Sequence, residues 1–118
     1  MHKTALLRAL YIGTALQLTM ILVGHLVPGL AQGNFFAIVG TALGGVTGFL
    51  YGWWAKGDGM GPCAAGGAVA GGVAGAVGAA ASAGLGDVPL ATIGIAGVST
   101  VVTGAIGGVL GKVLGQRT

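Results

Sequence analysis

Four long apolar segments, about residues 5–27, 35–55, 63–86 and 88–114, make up almost all of this chain, and its five basic residues, Lys3, Arg8, Lys56, Lys112 and Arg117, all fall where those segments would meet one side of a membrane. The stretches free of Asp, Glu, Lys and Arg are long enough to cross a hydrocarbon core, which takes about 20 residues of helix. A hydrophobic fraction of 54%, a charged fraction of 6% and a mean hydropathy of +0.94 leave too little charge to cover a soluble surface. The expected fold is all-α: a single transmembrane domain, residues 1–118, built as a bundle of four helices.

The distribution of charge sets the expected orientation. Under the positive-inside rule the N-terminus, the 56–62 loop and the C-terminus are cytoplasmic, and the loops around 28–34 and 86–89, which lack Lys and Arg, are external. The expected location is a cell inner membrane. Tyr11, Tyr51, Trp53 and Trp54 fall near the cytoplasmic ends of the first two segments, at the depth amphipathic rings prefer. A net charge of +3 does not indicate a nucleic-acid partner, because the basic residues flank apolar spans singly and form no patch. Residues 1–31 could also be read as a secretory signal, with Lys3 and Arg8 as its charged region, but the apolar run from Ala9 to Val27 is longer than a usual signal core.

Small residues are periodic. Gly40, Gly44, Gly48 and Gly52 recur every four residues in the second segment; Gly67, Gly71, Gly75, Ala79 and Ala83 do so in the third; Ser99, Thr103, Gly107, Gly111 and Gly115 do so in the fourth. Helices in lipid associate through close van der Waals contact across such faces, so a glycine-zipper packing is expected. Each interior glycine costs about 1 kcal/mol of helix propensity relative to alanine, and in a chain with 27 glycines close packing must offset that cost. The third helix, whose large residues are confined to Val69, Val73, Val77 and Leu85, is expected to be the most enclosed. Residues 42–52 align with 105–115 at an offset of 63, which implies a parallel two-plus-two repeat related by an axis along the membrane normal.

The chemistry is sparse. No charged residue lies deep within a span, whereas proton relays, coupling-ion sites and voltage sensors depend on such residues. A rotary-ring subunit needs a mid-membrane carboxylate and a small multidrug exporter needs a Glu in its first span; neither is present. Fluoride channels share the length and span number but pair antiparallel, which the complete charge bias here disfavours. Gln17, near the middle of the first span, needs a partner on another helix, while the Ser and Thr hydroxyls can bond carbonyls one turn back. His25 and Asp87 fall at similar external depth and could meet as a pH-sensitive pair. Cys63 is a packing residue, with no His or second Cys near it in sequence. The 56–62 loop lacks the Lys-Ser/Thr of a phosphate-binding loop and reads as a turn, with Pro62 opening the third helix.

No catalytic, cofactor-binding or metal-ligating set is expected. The function these residues imply is that of a small non-enzymatic membrane protein, structural or accessory. It would associate with itself or a larger membrane complex through glycine-rich faces that one bundle cannot use up. A homo-oligomeric channel or small transporter is the alternative, and it would need a wet path lined by Gln17 and hydroxyls.

Overall fold

The computed structural model describes residues 2–27, 35–86 and 89–117, with backbone alone for 35–37. It is all-helical, with four helices: α1 Lys3–Leu26, α2 Phe35–Trp54, α3 Met60–Gly84 and α4 Ala91–Gln116. Each lies within a few residues of an apolar segment. Of these, α1, α3 and α4 are long and apolar enough to cross a membrane.

The helix ends have local causes. The imidazole Nδ1 of His2 accepts the Ala5 amide at 3.1 Å and caps α1, removing one of the amides a helix start leaves unpaired. Gly59 precedes α3, and Pro62 sits in its first turn, where a missing amide hydrogen breaks no helical bond. α3 ends through Leu85 into Gly86, whose φ of +82° is a left-handed conformation that glycine adopts without a Cβ clash.

The polarity of a soluble protein is inverted. The largest fully buried side chains are Tyr51, Gln17, Thr47, Thr100, Cys63 and Ser82, whereas leucines, valines and isoleucines such as Leu7, Leu26, Ile38, Ile95, Val98 and Ile106 are more than half exposed. Alanine supplies most of the buried hydrophobic positions, among them Ala5, Ala9, Ala70 and Ala74. The interior is therefore formed by backbone, alanine and short polar groups, and the aliphatic ridges face outward.

α2 and α3 form the central pair. α1 packs on both from one side and α4 packs on both from the other, with no contact between α1 and α4 among the described residues. The expected twofold arrangement is not what the helices adopt: it would bring α1 against α4 as it brings α3 against α2. The two aligned segments, 42–52 and 105–115, lie on α2 and α4, which pack directly on each other. The cause is the unequal supply of small residues. α1 holds two glycines, Gly13 and Gly24, against eight in α3, so only α2, α3 and α4 can bring backbones together.

That approach is close along the whole seam. A methyl group at Gly48 would strike the Gly104 carbonyl, one at Gly52 the Gly108 carbonyl, and one at Gly44 would lie 2.7 Å from the Thr100 side chain. From α3, Gly67 faces Gly104 and Gly108, Gly71 faces Thr100, Gly44 and Gly104, and Gly75 faces Thr100. α4 answers with Gly107 against Gly45 and Gly111 against Phe49, while Gly115 lies beside Lys56 and Trp53. Gly40 borders Gln17 and Met20 of α1. Within the span windows, 56% of α3 is buried, against 28% of α1 and 22% of α4, as its content of small residues implies. Its ridge of Val69, Val73, Val77 and Leu85 stays on the outside, each about 40–45% exposed.

Candidate functional site

The groups capable of polar chemistry lie along the interior and at the end of the bundle where the basic residues gather. Gln17 is 1% exposed, and its Nε2 donates to the Gly40 carbonyl at 3.0 Å, joining α1 to α2. Its side chain also lies against Gly78 of α3, where glycine leaves room for the amide. Gln17 thus ties three helices together at one level. Thr47 and Thr100 are buried but donate to Leu43 and Ala96, the carbonyls one turn back, at 2.8 and 2.6 Å. Thr103 donates across the seam to the Thr41 carbonyl at 3.0 Å, adding a bond between α2 and α4. Ser82 Oγ is the buried side-chain polar atom without a partner among the described residues.

The polar groups on α2, α3 and α4 lie beside a close backbone contact. At the level of Gly44, Gly71 and Gly104 the three backbones meet: a methyl group at Gly71 would lie 2.7 Å from the Thr100 carbonyl, 2.8 Å from the Gly44 carbonyl and 3.0 Å from the Gly104 Cα. No water-sized passage fits between chains so close.

At the basic end the side chains are more engaged than their sequence suggests. Tyr51 does not face the headgroup region. It is fully buried, its ring fills the space that Gly66 leaves open, and its hydroxyl accepts the His2 backbone amide at 3.0 Å. Lys112 is also buried, with 8% exposure, and its Nζ donates to the Lys56 carbonyl at 3.0 Å, joined by Gln116 Nε2 at 3.2 Å. A cation just beyond the C-terminus of α2 is favourably placed against the negative end of the helix dipole. Cys63 is fully buried, its thiol donating to the Ala55 carbonyl at 3.3 Å. The remaining basic groups stay near the surface: the Arg8 guanidinium lies 6.0 Å from the Trp54 ring and the Lys56 ammonium 5.4 Å from the Trp53 ring. Each such contact is worth about 0.5–1 kcal/mol at an exposed site.

His25 is exposed in the last turn of α1. Asp87, its expected partner, lies outside the described residues, so the pair is not defined. Among the described residues no three of His, Cys, Asp and Glu come together. The glycine positions Gly40, Gly44, Gly48, Gly52, Gly67, Gly71, Gly75, Gly107, Gly111 and Gly115 all meet another part of this same chain. Within the bundle α4 packs against the glycine faces of both α2 and α3, so most of these positions are used in contacts inside the chain. Sequence reasoning missed the burial of Tyr51 and Lys112. The available signals were Gly66, the vacancy opposite the ring, and the Lys112–Gln116 pair one turn apart on α4.

Replacing Gln17 by Leu removes the bond to Gly40 while keeping approximate bulk. The expected loss is about 1–2 kcal/mol of bundle stability, the range for interhelical hydrogen bonds in lipid. Thermal or denaturant unfolding in detergent checks it, and an unchanged midpoint would show that the bond carries no net stability.

No family model, no curated protein and no solved structure matches this chain.

Proposed function

We propose that this chain is a small, non-enzymatic integral membrane protein of four spans, a structural or accessory subunit of the cell inner membrane with both termini in the cytoplasm. One observation carries the reading: the large aliphatic side chains are outside and the polar groups inside, so lipid or another apolar surface must cover the bundle. α2, with 20 residues and no charge, supplies the fourth span beside α1, α3 and α4. The closed contact of Gly44, Gly71 and Gly104 supports a packing role over conduction through one bundle. A channel formed between several copies would need its polar groups on the outer surface, yet Gln17, Thr47 and Thr100 are all turned inward.

Association with further copies or with a larger complex belongs to the same proposal, but by a different surface. With the named glycines occupied internally, the free surface is aliphatic: the α3 ridge and an open groove of about 560 Å³ between α2 and α4, bordered by Ile38, Val46, Phe49, Ile106 and Leu110. Two measurements test the proposal together. Cysteine labels at Gln32 should react from the exterior and labels at both Met1 and Thr118 from the cytoplasm, and the particle extracted in mild detergent should exceed one chain in mass or copurify with a membrane partner. Termini on opposite sides would end the four-span reading, and a lone protomer without companions would end the accessory role.

A further inference from the structure

The first turns of α1 carry a cation that no described residue neutralises. Arg8 lies five residues beyond Lys3, the first residue of α1, which is about 7.5 Å deeper along the axis at 1.5 Å per residue. Its guanidinium rests over the Trp54 ring at 6.0 Å, and among the described residues it makes no hydrogen bond or ion pair. The chain has two acidic side chains, Asp58 and Asp87, against five basic ones, and of the two Asp58 is the one in the turn between α2 and α3 at this end. Around Arg8, the side chains of Leu7, Tyr11, Ile12 and Trp54 line an open cleft of about 470 Å³ between the start of α1 and the end of α2.

The cleft has two chemistries in a fixed order. Tyr11, three residues on from Arg8 and so on the same helix face, is 80% exposed and lines the same cleft. Leu7 and Ile12, 67% and 37% exposed, provide an apolar wall. A guanidinium presents parallel N–H donors that match two oxygens of a phosphate, and the indole beneath it restrains the side chain without using those donors. The matching ligand has a phosphate at one end, a net negative charge and an aliphatic chain. We propose that this cleft seats an anionic phospholipid of the cytoplasmic leaflet, its phosphate accepting hydrogen bonds from Arg8 and Tyr11 and its acyl chain lying against Leu7 and Ile12. The inference rests on the four-span reading and its cytoplasmic placement of α1. Charge complementarity selects the lipid over a second copy of this chain, which carries the same excess of positive charge at the same end.

The test uses the full chain in nanodiscs holding equal amounts of phosphatidylglycerol and phosphatidylcholine, followed by release into detergent and native mass spectrometry of the lipids that stay bound. The wild type should retain phosphatidylglycerol in preference to phosphatidylcholine. Arg8→Gln should lower that retention roughly tenfold, as expected for a lost hydrogen bond to a charged group. Lys3→Gln, which removes an exposed cation outside the cleft, should leave it nearly unchanged, and Arg8→Lys should fall between. Circular dichroism of each variant confirms the helical fold. Equal retention of both lipids, equal loss in Arg8→Gln and Lys3→Gln, or a drop in particle mass in Arg8→Gln would overturn the assignment, the last by showing that the cleft holds another chain. Failure of the chain to enter nanodiscs at all would instead refute the membrane reading on which the inference rests.

Discussion

Leucine in place of Gly48 is expected to prevent α2 and α4 from packing and to destabilise the bundle by about 3 kcal/mol or more, at the upper end of overpacking effects. The obstacle is backbone, not a movable side chain: the first carbon added at Gly48 would strike the Gly104 carbonyl. Relief requires α2 and α4 to separate, and separation would loosen Gly44 against Thr100 and Gly52 against Gly108 as well. No hydrophobic force in lipid draws the helices back, because acyl chains solvate an exposed apolar face as well as another helix does. The measurement is denaturant unfolding in mixed micelles, with Val69→Leu as the comparison. Val69 is 40% exposed on the outer ridge of α3, so its substitution should stay within about 0.5 kcal/mol of the wild type. Similar losses at both positions would show that the α2–α4 contact does not hold the bundle together.

A second large effect is expected at Gly66. Its missing side chain is the space the Tyr51 ring occupies, so Gly66→Leu should expel the ring, break the bond from the His2 amide to the Tyr51 hydroxyl, and cost about 2–3 kcal/mol. The two residues are predicted to be coupled. Tyr51→Ala alone should lose about 3 kcal/mol or more by leaving a cavity where the ring was, but Gly66→Leu combined with Tyr51→Ala should be more stable than the sum of the single losses, because leucine then fills that cavity. Simple additivity in this double-mutant cycle would mean that the ring and the glycine do not share one site. Tyr51→Phe, which keeps the ring and removes only the hydroxyl, should lose about 1 kcal/mol.

Residue by residue, the legible part of the protein was what depends on composition and period. Long uncharged runs marked α1, α3 and α4 as segments able to cross a membrane, and the four-residue spacing of Gly67, Gly71 and Gly75 marked the side of α3 that its neighbours cover. Gln17 was recognisable as a tie between helices, since an amide surrounded by apolar residues has nowhere else to find a partner; its acceptor, the Gly40 carbonyl, was not. The aromatic residues show why such inference stops. Tyr11 and Tyr51 occur at comparable ends of neighbouring helices, yet one is 80% exposed and the other fully buried. The difference lies in whether a glycine of another helix stands opposite, and a list of residues does not record what faces what.

The sequence by itself determined the helices and their apolar character: runs of helical length, three of them apolar enough to cross a membrane, with small residues recurring along α2, α3 and α4. Only the tertiary structure decided the partners of those residues. It placed α4 against both α2 and α3, left α1 on the far side, set aside the twofold suggested by the aligned segments 42–52 and 105–115, and brought Lys112 to the Lys56 carbonyl. The physical reason is that small faces are permissive. A glycine face permits any backbone to approach, and which one does depends on how several helices, each with its own number of small residues, can satisfy their closest contacts at once.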